Sequence, residues 1–189
     1  MKHPTYDILR GNSITSIVLV GPPAGGKSTV RSLLSDYDVH GSDLESFHNG
    51  SELKDGWKQE IVSTISHATS TDRSVVCIEG AISTEEVDFV RENSKHTLVV
   101  LVDVPDDADR VDRFIDRELT PNNDRITSDE KIAELQLKSY QRRYEEMPYP
   151  EHDVSIINKN STTTKELSRR CARLVSLIDD DNSISVPGE

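Results

Sequence analysis

Gly21-Pro22-Pro23-Ala24-Gly25-Gly26-Lys27-Ser28-Thr29 is the stretch that decides how this chain is read. It satisfies the pattern G-x-x-x-x-G-K-[ST], with Gly21, Gly26, Lys27 and Ser28 at the defining positions. The apolar run Ser13–Val20 before it predicts a strand, and the spacing of Val30, Leu33 and Leu34 after it predicts a helix over Lys27–Leu34. Glycines let the backbone curl so that consecutive N–H groups face inward and form an anion nest. The helix that follows turns its partly positive N-terminus toward the same anion. Lys27 is expected to meet the β- and γ-phosphates of a nucleoside triphosphate as a point charge, and the Ser28 hydroxyl to ligate Mg²⁺. The expected cofactors are therefore Mg²⁺ and ATP, with GTP also admitted, cradled by residues 21–29.

Working outward, further strands are expected at Asp38–Gly41, Ser74–Glu79, Thr97–Asp103 and Val154–Ile157. Helical periodicity covers Glu52–Ala68, Thr84–Glu92, Asp106–Glu118, Ser128–Glu146 and Thr164–Ile178. Alternating strands and helices predict an α/β protein of three layers: a five-stranded parallel sheet with helices on both faces and a short lid. Ser83 with Glu86, Thr127 with Glu130 and Thr163 with Glu166 read as capping boxes, each opening a helix. Residues 1–178 are expected to form one domain with a lid at about 117–127. Residues 179–189, which begin with three aspartates, are expected to fray as an acidic tail.

The chain has 189 residues and a formal net charge of −12, which disfavours a nonspecific grip on nucleic acid. Its two cysteines, Cys77 and Cys171, lie in apolar surroundings and read as buried thiols, not as a disulfide scaffold or zinc site. The run Ile14–Val20 is too short to span a membrane and lacks a signal-peptide cleavage pattern, so a cytoplasmic protein is expected.

Two carboxylates follow predicted strands, where a parallel sheet opens toward its ligand. Asp43 can accept the proton of an attacking hydroxyl, or hold metal-bound water, or only cap the next turn. Glu79 ends Val75-Val76-Cys77-Ile78-Glu79-Gly80 and is expected near the metal shell, making Ser28, Asp43 and Glu79 the candidate metal residues. Glu45 and His48 are expected to face solvent. Arg113 and Arg117 share one helix face and are candidate phosphate clamps beside a loop that ends near Arg125; Arg110 is a weaker candidate. Trp57 is expected to pack, half-buried, more than to line an acceptor pocket.

These segments resemble the small P-loop kinases of the nucleoside and nucleotide kinase group, a class that includes shikimate and gluconate kinases. Val75–Gly80 is similar to the strand and Glu-Gly ending of uridine kinases. Thr97–Arg117 resembles the strand and lid-proximal helix of the group; Lys138–Tyr144 and His152–Asn158 resemble its closing helix and last strand. The resemblance implies a kinase domain over roughly residues 13–178, with Asn158 to Asn160 near the nucleotide base. Asp43, Phe47 and His48 only echo the acceptor motif of uridine kinases, and the dense arginine lid of that family is not intact. Lys54, Lys58 and Arg73 are the only lysines or arginines between residues 44 and 74, which favours a hydroxyl acceptor over a phosphate acceptor.

The expected activity is Mg²⁺-dependent transfer of the ATP γ-phosphate to a hydroxyl of a nucleoside-like or other small metabolite. Lys27, Asp43, Arg113 and Arg117 are the candidate catalytic residues. The rivals are a nucleoside monophosphate kinase, a kinase of a nucleic acid 5′-hydroxyl or hydroxylated base, and a non-enzymatic nucleotide switch.

Overall fold

Valine, isoleucine and leucine crowd three segments of the chain, and these segments become the middle of its sheet. The computed structural model describes residues 13–49, 52–71, 73–80, 83–119 and 149–183. Strand β1 (Thr15–Val20) lies between β5 (Val75–Glu79) and β6 (His96–Asp103). The edges are β2 (His40–Asp43), beside β5, and β7 (Val154–Ile157), beside β6. All four pairings in the order β2-β5-β1-β6-β7 are parallel.

Every residue of β1 and β5 is buried, as strands covered on both faces require. One face packs on α2 (Trp57–Ser70) and α3 (Thr84–Asn93) through Ile61, Ile65, Val87 and Val90. The other packs on α1 (Lys27–Ser35) and a last helix, α5 (Thr164–Ser183), through Val30, Leu34, Leu167 and Leu174. Helix α4 (Asp107–Leu119) follows β6. The three-layer α/β fold with five parallel strands is therefore present. The chain leaves β1 toward one side of the sheet and later crosses to the other at β6, so the strand ends around β1 form the crevice where such sheets take ligands.

Several local expectations change. The second strand begins at His40, not Asp38, because Asp38 adopts a left-handed turn with φ 60°. The second helix begins at Trp57, five residues later than its periodicity implied. Glu52–Leu53 instead forms β4, paired antiparallel with β3 (His48–Asn49). Leu53 still packs on the core that Trp57 and Ile61 build, so it kept the apolar spacing without the helix. Gly56, at φ 103°, makes the turn that separates the two elements, a backbone shape that glycine adopts without a Cβ penalty. The last helix runs through Asp179–Asp181 to Ser183, so the acidic tail is helical further than expected.

Capping boxes at Ser83–Glu86 and Thr163–Glu166 form as read. Cys77 and Cys171 are both buried and unbridged; burial pushes the Cys77 thiol well up and the Cys171 thiol up to about 11. Among the described residues no helix is long and apolar enough to cross a membrane. The helix expected at 128–146, the cap at Thr127, Arg125 and most of the proposed lid lie outside the described residues.

His48 departs most from expectation, since it is not solvent-facing. Its Nε2 lies 2.8 Å from Glu86 Oε1, and the side chains are 11% and 0% exposed. Glu86 Oε2 accepts from the Ser83 amide and hydroxyl at 2.9 and 2.8 Å, so this carboxylate ties the β3–β4 hairpin to the start of α3. His48→Ala removes one donor from a buried carboxylate. Chemical unfolding should show a loss of about 1–3 kcal/mol, and a loss within about 0.5 kcal/mol, the ordinary surface range, would deny the tie.

Candidate functional site

The glycine-rich stretch leaves β1 and enters α1 by a route that its neighbours allow only to a chain lacking side chains. A Cβ on Gly21 would run into the Val102 carbonyl oxygen, and one on Gly25 would stand 2.8 Å from that oxygen. A Cβ on Gly26 would run into Asn158 Nδ2. Gly26 also takes φ 93° as the residue before α1, and Ala24 sits at φ 58°. Pro22 accepts from the Gly25 amide at 3.1 Å, closing the turn, while Val30 N–H donates to Gly26 at 3.0 Å and starts the helix. Pro23 and Ala24 are half-buried, and Thr29 is exposed on α1.

Lys27 folds back over this loop. Its ammonium donates to the Gly21 and Pro22 carbonyls at 3.0 Å each, which keeps one positive charge at the loop mouth. Ser28, in the first turn of α1, donates its hydroxyl to Glu79 Oε1 at 2.5 Å. Glu79 ends β5 and stands in register with Asp43 on β2. The loop, Ser28 and both carboxylates thus meet at one edge of the sheet.

Glu79 is only 3% exposed, and its Oε2 lies 3.0 Å from Arg31 Nε without an aligned hydrogen bond. Burial pushes its carboxyl above the usual carboxylate range, and the nearby Asp43 adds to the rise. The Ser28 hydrogen bond and the charges of Arg31 and Lys27 oppose it. Asp43 Oδ1 accepts from the Glu45 amide at 2.8 Å, so the helix-start use of Asp43 is realised with one oxygen. Among the described residues no hydrogen bond is made by its other oxygen.

These groups fit Mg²⁺. A serine hydroxyl and one or two carboxylates are the hard oxygen donors that hold this ion alongside substrate phosphates. Glu79 Oε2, buried and lacking an aligned donor, is the atom that such an ion would satisfy. Among the described residues no group of three or more His, Cys, Asp or Glu side chains gathers into a metal cage.

The opposite side of the loop is made by β6, α4 and the residues after β7. Asn158 is buried and donates through Nδ2 to the Gly25 carbonyl at 3.0 Å, so it buttresses the loop. Arg113 Nε donates to Asn160 Oδ1 at 2.6 Å, and its Nη1 lies 3.8 Å from where a Gly26 Cβ would stand. Asp109 accepts from the Asn160 amide at 3.0 Å. Next to these lies an open groove of about 700 Å³, lined by Pro105, Asp106, Asp109, Lys159, Asn160 and Ser161. Arg117 lies on α4 as read, but its side chain is outside the described residues.

Trp57 is buried edge-on against Phe89, with ring centroids 5.3 Å apart, and belongs to the core. Glu45 is exposed as expected. Arg31 was missed by motif reading. It lies three residues after Ser28 and shares its helix face, so helical spacing combined with an expected acid at Glu79 was the available signal.

No known protein-family profile matches the chain, and no curated protein sequence does. Solved structures with the same fold include a sugar kinase from a Janibacter species (16% identity, 86% of this chain and 95% of that one, TM-score 0.58). A gluconokinase from Sinorhizobium meliloti matches at 17% identity over 88% and 97%, TM-score 0.54. A shikimate kinase from Bacteroides thetaiotaomicron matches at 12% over 87% and 98%, TM-score 0.52. The chain therefore has the P-loop NTPase fold found in these small kinases.

Glu79 supplies a test by pH. A carboxyl whose pKa is raised on folding binds a proton more tightly in the native state, so wild type loses stability as pH rises from the ordinary carboxylate range through the raised value. Glu79→Gln has no charge to bury. Urea unfolding from acid to neutral pH should show the variant gaining on wild type across that window, and a constant difference would contradict a raised pKa.

Proposed function

We propose that the chain is a Mg²⁺-dependent phosphotransferase that moves the γ-phosphoryl group of ATP to a hydroxyl of a small metabolite. The observation that carries this reading is the meeting of Ser28, Glu79 and Asp43 beneath the loop that holds Lys27. A binding module needs the loop. Two carboxylates at the adjoining strand ends are of use when a bond is to be made there.

In this reading Lys27 and the loop amides hold the triphosphate, and Arg113 approaches it from α4. Ser28 and Glu79 would hold Mg²⁺ and Asp43 would hold a water on it; when bound, the ion offsets the charge on the β- and γ-phosphates. The groove beside Asn160 receives the nucleoside, with ATP preferred and GTP admitted. Asp43 orients the acceptor hydroxyl through its second oxygen. The hydroxyl oxygen bonds to γ-phosphorus, the bond from γ-phosphorus to the bridging oxygen breaks, ADP departs, and Asp43 receives the proton. Arg117 is proposed to complete the clamp, and residues near 117–127 to cover the site and exclude water.

A hydroxyl acceptor is favoured because the cations on the Asp43 side are engaged locally. Lys54 donates to the Ser46 carbonyl at 3.2 Å and Lys58 lies 3.5 Å from Glu85. The sugar kinase and the gluconokinase are named for hydroxyl-bearing substrates, and the same substrate class suits this chain. Two buried thiols and the acidic composition fit a cytoplasmic enzyme of small molecules.

The test is a screen of nucleosides, nucleotides, sugars and oligonucleotides with γ-labelled ATP. Label should appear on a small hydroxyl compound. Label on a monophosphate or an oligonucleotide end would move the assignment to those rivals, and slow release of inorganic phosphate alone would identify a switch. With the acceptor in hand, Asp43→Asn should lower kcat by about 10²–10⁴-fold, the usual worth of a positioned base, with nucleotide affinity near wild type. Turnover within a few-fold of wild type would remove Asp43 from the chemistry.

A further inference from the structure

A second concavity, of about 410 Å³, lies between α1 and the edge strand β2, with Arg31, Ser32, Ser35, Asp38, His40 and Arg73 in its wall. Its upper end reaches Ser28, but most of it runs along the outside of α1, away from the groove beside Asn160. It holds two guanidiniums in a protein of net charge −12.

Both guanidiniums are held in place. A Cβ on Gly41 would stand 2.9 Å from Arg31 Cγ and 3.0 Å from its Cδ, so the bare backbone of β2 is what seats the Arg31 stem. Arg31 Nε lies 3.0 Å from Glu79 Oε2 as an ion pair, and Arg73 Nε donates to Asp38 Oδ1 at 3.0 Å. Among the described residues neither uses its Nη groups, which leaves the forked end of each for an anion with several oxygens. Asp38 is 76% exposed, and an ion pair so open to water is worth little and readily exchanged.

The remaining wall suits the body of such a ligand. Ser35 donates its hydroxyl to the Ser32 carbonyl at 2.6 Å and so presents lone pairs to the groove. His40 is biased toward its neutral form. Burial lowers its pKa first, then His67, whose ring lies 4.8 Å away, and Arg73; Glu60 opposes them. It is therefore a hydrogen-bonding surface and adds no third charge. The carboxylates nearby are Asp38, Glu60, which acts on His40, and, behind Arg31, Glu79. The volume exceeds that of a phosphate group and leaves room for a small hydroxylated carbon frame.

We propose that this groove binds a small phosphate-bearing hydroxy compound, its phosphate gripped by Arg31 and Arg73 and its hydroxyls met by Ser35 and His40. The proposed phosphate grip at Arg31 and Arg73 lies along α1, beyond the Ser28 end of the triphosphate loop. Because Arg31 also touches Glu79, an occupant has a direct route to the carboxylate at the catalytic edge.

Inorganic phosphate is the probe, with potassium chloride at equal ionic strength as control. Lys27→Ala serves as the starting protein, so that phosphate held by the glycine-rich loop does not dominate. Its melting temperature should still rise by a few degrees, saturably, with phosphate. Adding Arg73→Gln, or independently Ser32→Asp, should weaken the apparent phosphate affinity at least about tenfold, the worth of one charge-assisted contact. Loss of the saturable response in Lys27→Ala alone, or its persistence in both double variants, would overturn the site. The readout involves no phosphoryl transfer, so failure here and failure of the kinase reading are distinguishable.

Discussion

The hydrogen bond from Ser28 Oγ to Glu79 Oε1, at 2.5 Å, joins the first turn of α1 to the end of β5. Much of the site follows from it. Moving a carboxylate out of water costs several kcal/mol even after relaxation, so Glu79 must have partners. Ser28 supplies one and Arg31 a second, on the other oxygen. Because the bond spans two elements, it also fixes where α1 begins and hence where the glycine-rich loop must lie. That loop is confined from the opposite side by Val102 and by Asn158, whose amide donates to Gly25 at 3.0 Å. The loop is held between a strand end and a side chain, with its shape set before any ligand arrives.

Charge is distributed to the same end. A net charge of −12 would repel a triphosphate if spread evenly, yet separated surface charges are screened beyond about 8–10 Å at physiological salt. What a phosphate would meet in the proposed reading is therefore set locally, by Lys27 over the loop and Arg113 beside it. Glu79 and Asp43 stand in register on neighbouring strands, a like-charge pair that raises the proton affinity of the more buried member. In the proposed reading a divalent cation would relieve that repulsion, and the hard oxygen donors present suit Mg²⁺.

The sheet and the loop were legible because each rests on a local rule. Buried parallel strands must be apolar on both faces, which picks out Thr15–Val20 and Val75–Glu79, and an anion nest needs its glycines at set positions. Elements whose shape depends on tertiary partners were not. The strand expected at Asp38–Gly41 exists but runs two residues later, because His40–Asp43 has no apolar side chain and its bounds are set by pairing with β5. Leu53 keeps the spacing of the Trp57–Ile61–Ile65 stripe but reaches the core from a hairpin. His48 reads as solvated until Glu86, far along the chain, is brought to 2.8 Å. In the site, Asp43 and Glu79 could be suspected from their strand ends. The links Arg31–Glu79 and Arg113–Asn160 join segments that sequence does not bring together.

Binding of a non-hydrolysable ATP analogue, titrated with and without Mg²⁺ in wild type and in Ser28→Ala, tests most directly whether this edge of the sheet is a metal-assisted triphosphate site. In wild type, Mg²⁺ should tighten binding by at least about tenfold, or 1.4 kcal/mol. In Ser28→Ala the metal-free affinity should stay near wild type and most of the Mg²⁺ enhancement should disappear. An analogue that does not bind, or an enhancement equal in both proteins, would contradict the assignment of Ser28 and Glu79 to the metal and phosphate site.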